Sequence, residues 1–197
     1  MKTIHLFLSC LTLCSTPVFA DLTPFQQQTA NKFQNVKIHA GRDTLMWIGA
    51  GEPDDFDSSK LSEEEQAQLE ENGIKQAEFL ANNGVHFCQN QLAVYYYFEA
   101  KNYLRAIHWA EKAAAHGYEH SVTVLIVAHM QGNGVLPDAY EVFKYAHIAS
   151  ILGDKKSKEL LDHIKICNLE LWQKTLDNAR NWLELNKETF YSNGHSY

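Results

Sequence analysis

The feature that most constrains the fold of this chain is an internal repeat with a period of 36 residues. The segments 112–121 and 148–157 follow one pattern, and the similarity continues on both sides of them. The paired positions are Trp109 with Tyr145, Ala113 with Ala149, Gly117 with Gly153, Ser121 with Ser157, and Leu125 with Leu161. A period of this length is typical of stacked helical hairpins, each of which buries its apolar face against its neighbours.

Each shared position has a mechanical role in such a hairpin. The small residues let two helices approach closely, and the aromatic residues fill the space between neighbouring hairpins. Gly117 and Gly153 are expected to end helices, because a left-handed conformation costs glycine least. The segment 132–138 should connect two helices, with Asp138 capping the second.

Other helix signals extend from Ser62 to about residue 185, and no alternating strand pattern interrupts them. Ser62 and Glu65 have the spacing of a capping box. The pairs at 72–73 and 83–84, both Asn-Gly, predict helix ends or turns. The acidic stretch 52–71 could suggest a calcium loop, but its spacing does not match an EF-hand, and a solvated linker leading into a helix is favoured.

The segment from Ser121 to Gly153 resembles the Sel-one-like repeat family, a branch of the tetratricopeptide-like helical repeats. The matching residues are Leu125, Gly132, Gly134, Val135, Asp138, Tyr145, Ala149 and Gly153. The departures are Ser121, Ile126, His129, Val142 and Ser150. The preceding unit matches in part, at Tyr103, Ala106, Trp109, Ala113, Ala114 and Gly117. The resemblance implies an all-α fold: a short right-handed α-solenoid of helix-turn-helix repeats, with a C-terminal capping helix at about 169–185.

The N-terminus has the pattern of a secretory signal peptide. Lys2 precedes an apolar stretch at 6–13, and a small-residue cleavage pattern ends at Ala20. We expect cleavage near Ala20 and a mature protein in the periplasm or secreted, as in exported bacterial members of the family; a retained anchor is the alternative. The expected organisation is a signal peptide at 1–20, a poorly defined segment at 21–60, a repeat domain at 61–186 and a flexible tail at 187–197.

The charge balance narrows the class of partner. The chain has 17 Lys and Arg against 24 Asp and Glu, for a formal net charge of −7. Such a chain does not attract nucleic acid or an anionic membrane surface, and after the leader no apolar run is long enough for stable membrane insertion. A basic protein or peptide is the partner that this charge favours.

In tetratricopeptide-like arrays the first helix of each hairpin lines a concave groove. Carrying that geometry over predicts that the partner-binding residues are Gln91, Tyr95 and Phe98 from one unit, and His120, Thr123, Val127 and Met130 from the next. The run 95–98 consists of four aromatic residues, which cannot all point inward because successive helical residues turn by about 100°. Either some of them face a partner, or they are core residues covered by the segment 21–60.

No catalytic motif was found. The chain lacks H-E-x-x-H, G-x-S-x-G, and S-x-x-K with its companion motifs. His163 and Cys167 are four apart and could be two metal ligands, but no further ligand follows at suitable spacing. Cys88 and Cys167, which remain after the leader, either form one disulfide or stay as two free buried thiols.

We therefore expect a non-enzymatic protein with no metal and no cofactor that binds a protein or peptide. The family resemblance implies an inhibitor, an immunity protein, or an envelope or virulence adaptor. The alternative is an envelope hydrolase or a β-lactam- or peptidoglycan-binding protein on the same scaffold.

Overall fold

The computed structural model describes Leu45 and residues 58–191. Within these residues the chain is all-helical and contains no strand, which confirms the all-α class. After a 3₁₀ turn at Ser58–Lys60, the helices are α1 Glu63–Asn82, α2 His86–Phe98, α3 Tyr103–Ala114, α4 Glu119–Gln131, α5 Ala139–Ile151, α6 Lys155–Cys167, α7 Leu169–Leu185 and α8 Lys187–Tyr191. The expected signal peptide, nearly all of the segment 21–60 and the last six residues of the tail lie outside the described residues.

The helices pack mainly on their neighbours along the chain. From α1 to α8 the contacts join successive helices, and two further contacts join α2 to α4 and α5 to α7. The largest fully buried side chains come from several helices; among them are Leu92, Leu125, Ile148, Leu183 and Phe190. A single core therefore runs through the described helices.

The helix ends follow the sequence signals closely. Ser62 and Glu65 form the expected capping box at the start of α1. The Asp138 carboxylate accepts hydrogen bonds from the first backbone N–H groups of α5. Gly117 and Gly153 have φ values of 77° and 101°, so both end their helices in the left-handed region, where a side chain would be strained. These predictions are confirmed.

One predicted break is wrong. The Asn-Gly pair at 72–73 does not end a helix, because α1 continues through it to Asn82; only the second pair, where Gly84 has a φ of 85°, ends one. Gly73 is buried, and a Cβ built on it would collide with the backbone carbonyl of Leu45, which is itself fully buried. Glycine is thus needed at position 73 because two backbones approach closely there, and not because the chain turns.

The C-terminal end is anchored to an early part of the fold. Residues 187–191, which the sequence assigned to a flexible tail, form α8. Phe190 is fully buried, and the Thr189 hydroxyl donates a hydrogen bond of 2.8 Å to the carbonyl oxygen of Ala115, at the end of α3. The last described helix therefore packs beside the turn between α3 and α4.

The variant Gly73→Ala tests the contact between Leu45 and α1. Alanine favours the interior of a free helix by about 1 kcal/mol over glycine, so without that contact the variant would be more stable. With Leu45 in place the new methyl group displaces its backbone, and we expect the free energy of unfolding to fall by about 1–3 kcal/mol. Urea unfolding measures the difference, and a stabilised variant would contradict the packing of Leu45 on α1.

Candidate binding groove

Helices α2 and α4 lie side by side and run in the same direction. The Ser121 hydroxyl donates a hydrogen bond of 2.8 Å to Asn90 Oδ1, and the Tyr97 hydroxyl donates one of 3.2 Å to Gln131 Oε1. The two contacts join residues 31 and 34 apart in sequence, so the position on α4 advances as the position on α2 advances. The faces predicted to form the groove are thus on adjacent, parallel helices.

The predicted groove residues differ in their exposure. Phe98 and Met130, near the C-terminal ends of α2 and α4, are 46% and 60% exposed. Thr123 is exposed, His120 and Val127 are half-buried, and Gln91 and Tyr95 are buried. The open surface therefore comes mainly from α4, together with the end of α2.

Contacts with helix α1 explain why much of the aromatic run 95–98 is buried. The hydroxyl of Tyr95 donates a hydrogen bond of 2.7 Å to Glu70, and that of Tyr96 donates one of 2.8 Å to Glu78. Both carboxylates belong to α1, while Tyr97 bonds to the end of α4. Three of the four aromatic side chains are thus buried, and Phe98 is the one that faces outward.

Gln91 is a buried side chain with an unsatisfied polar atom. It is 4% exposed, and its Oε1 accepts no hydrogen bond in the part of the chain that the structure describes. Its neighbour Gln89 is equally buried, but its side-chain amide donates a hydrogen bond of 2.9 Å to the carbonyl oxygen of Ala81. The hydrogen bond of Gln89 therefore stabilises the fold, whereas the buried oxygen of Gln91 lowers the stability.

Helix α6 supplies exposed side chains that the sequence analysis missed. Adding the period of 36 to the four predicted positions of α4 gives Lys156, Glu159, His163 and Ile166, all of which are exposed. Ile166 is 83% exposed, and it corresponds to Met130. The repeat was the signal that could have found these residues, since it extends as far as Leu161.

Histidines gather at the opposite ends of these helices. The rings of His86 and His116 stack with centroids 3.3 Å apart and planes inclined by 18°. Burial lowers the pKa of His86, and burial together with the charge of His86 lowers the pKa of His116 to about 4. Burial also lowers the pKa of His120. The stacked rings are therefore neutral at pH 7, and close stacking costs no charge repulsion.

Both cysteines of the repeat region are free thiols, so the disulfide that the sequence allowed is not present. Cys88 is buried, and burial raises the pKa of its thiol to about 12. Cys167 is exposed, in contrast to the expectation of two buried thiols. Within the described residues, no three His, Cys, Asp or Glu side chains lie close enough together to hold a metal ion.

Among the helices of the described residues, none has the length and apolar content to cross a membrane. Comparison of the chain with protein-family models, with curated proteins and with solved structures found no match. Function is therefore inferred from the repeat and from the placement of α2 and α4.

The histidine stack predicts a loss of stability in acid. The folded-state pKa of His116 lies below the unfolded value of about 6.5, so the unfolded chain binds protons more readily. The contribution of the stack to stability is therefore fully present above pH 6.5 and is lost as the pH drops toward 4. We expect His116→Gln to reduce the proton uptake on unfolding by up to about one proton. Urea midpoints between pH 7.5 and 4.5 measure this uptake, and a wild-type pH profile in the variant would refute the role of the stack.

The two buried glutamines give a matched pair of variants. Gln91→Met removes an acceptor with no donor and should raise the free energy of unfolding by about 1 kcal/mol. Gln89→Met removes a made hydrogen bond and leaves the Ala81 carbonyl without it, so the free energy should fall by about 1–3 kcal/mol. Urea unfolding of both variants compares them directly, and destabilisation by Gln91→Met would show that its amide is satisfied.

Proposed function

We propose that the helices form a short right-handed α-solenoid of Sel-one-like repeats, and that its concave face binds a protein or peptide without catalysis. The observation that carries this proposal is the parallel, adjacent placement of α2 and α4, with the apolar side chains Phe98 and Met130 exposed near their C-terminal ends. Stacked repeats of this kind present extended concave surfaces to partners.

The composition of this surface suits a partner with an apolar anchor. Aromatic and Met side chains are enriched in protein interfaces, and Met adapts its shape to what it contacts. Phe98 and Met130 form the apolar end of the face. An apolar side chain of the partner that fills the space between these residues would remove its own surface and theirs from water.

The other end of the face carries two carboxylates, with Lys155 and Lys156 following the second of them on α6. Burial and the charge of Asp154 both raise the pKa of Glu119, which places two carboxylates near each other at the starts of α4 and α6. Glu119 and Met130 are separated by eleven residues of α4, or about 16 Å along the helix. The favoured ligand is therefore a segment that carries an apolar side chain and, about 16 Å away, a basic one.

The biological setting follows from the leader and the family resemblance. An exported protein of this type meets its partner in the periplasm or outside the cell, and the two carboxylates favour a basic protein. We propose a role as an inhibitor, an immunity protein or an envelope adaptor, all of which act by holding another protein.

Single substitutions at the apolar end test the groove. Met130→Ala and Phe98→Ala should each weaken capture of a partner by about tenfold, because buried apolar anchors contribute most of the energy of an interface. The measurement is the affinity of purified wild-type and variant proteins for the dominant protein captured from envelope extracts.

Leu185→Ala is the matched control, since Leu185 is 85% exposed and ends α7, a helix that contributes no residue to this face. The control should bind as the wild type does, and all three variants should have unchanged melting temperatures. Full binding by both Met130→Ala and Phe98→Ala would exclude this surface as the binding site.

A further inference from the structure

The dipeptide Asn-Gly occurs at four places in the chain, at 72–73, 83–84, 133–134 and 193–194. Such a pair can modify itself, because glycine has no side chain to keep its backbone nitrogen away from the amide of the preceding asparagine. The pair at 193–194 lies outside the described residues. The other three have the same chemistry, so a difference in their reactivity must come from the fold.

Backbone hydrogen bonds protect two of these three pairs. Gly73 lies inside α1, where its N–H group is bonded within the helix. The N–H group of Gly84 donates a hydrogen bond of 3.2 Å to the carbonyl oxygen of Ala81. In both pairs the glycine nitrogen must lose its hydrogen bond before it can react with the side chain of the preceding asparagine.

The pair at 133–134 lies in the connection between α4 and α5 and lacks this protection. The N–H group of Gly134 donates no hydrogen bond to any residue that the structure describes. Gly134 is exposed and Asn133 is half-buried, so water reaches the pair. Of the three pairs, this one therefore has a backbone nitrogen that can react while the protein stays folded.

The fold requires both residues of this pair. Gly134 has a φ of 78°, and a Cβ built on it would lie 2.9 Å from the Cβ of Tyr103, so a larger residue would be strained there. The side-chain amide of Asn133 donates hydrogen bonds of 2.9 Å to Gln131 Oε1 and 3.2 Å to the Tyr97 hydroxyl. A substitution that removed the reactive pair would also remove one of these features.

From this arrangement we infer that Asn133 is a site of self-modification by deamidation. The backbone nitrogen of Gly134 attacks the side-chain Cγ of Asn133 and forms a new C–N bond. The bond from Cγ to Nδ2 breaks, and Nδ2 leaves as ammonia with the proton that the glycine nitrogen gives up. Water then opens the resulting succinimide ring at either of its two carbonyl groups, which leaves aspartate or isoaspartate at position 133.

The modification weakens the link between this connection and α2. Neither product keeps the amide donor that bonds to Gln131 and Tyr97. Aspartate places a carboxylate oxygen opposite the acceptor oxygen of Gln131. Isoaspartate adds a methylene group to the backbone, beside the close contact of Gly134 with Tyr103. In both products the connection is held less firmly on α2.

Peptide mapping by mass spectrometry, after incubation of the folded protein at mildly alkaline pH, tests the site. We expect Asn133 to deamidate about tenfold faster than Asn72 and Asn83, because those two pairs must first break a backbone hydrogen bond. In urea, where the fold is lost, the three pairs should react at similar rates. An unreactive Asn133, equal rates in the folded protein, or a lead of Asn133 that persists in urea would overturn the inference.

The variant Asn133→Asp tests the structural consequence. It should raise the equilibrium constant for unfolding by about tenfold, because a charged acceptor replaces the donor to Gln131 and Tyr97. Asn72→Asp is the matched control: Asn72 is exposed, and its side chain donates no hydrogen bond to a described residue. The control should unfold as the wild type does. If urea unfolding gives Asn133→Asp the stability of the wild type, the inference is wrong.

Discussion

Close packing of helices through alanine is the constraint on which the rest of the structure depends. The alanines Ala93, Ala106, Ala110, Ala114, Ala128 and Ala149 are all fully buried in the core. A methyl side chain lets helix axes approach to the short end of the usual 8–10 Å range. Side-chain hydrogen bonds join α2 to α4, and the exposed ends of both helices lie side by side.

The repeat made the helices and their ends predictable. Gly117, Gly153 and Asp138 each act locally, on the backbone groups of their own helix end, so the sequence alone specifies what they do. The same period of 36 also places the exposed residues of α6, which were accessible to prediction once the repeat was extended by one unit.

The remaining features depend on contacts between distant segments. An Asn-Gly pair has the same appearance whether glycine makes a turn or admits another backbone, so the role of Gly73 could not be recognised without Leu45 beside it. The position of Tyr95 beneath α1 depends on Glu70, a residue 25 positions earlier. No periodic pattern within α2 distinguishes such a covered tyrosine from an exposed one.

The anchoring of α8 changes how the whole array should come apart. In a linear stack each repeat touches only its neighbours, and unfolding can begin at either end and spread. Here the hydrogen bond from Thr189 to Ala115 spans 74 positions of the chain, so the last helix is held at the end of α3. The last helix therefore cannot fray without breaking its contact with the end of α3, so its unfolding is coupled to a helix far earlier in the chain, more as in a globular domain than in an open spiral.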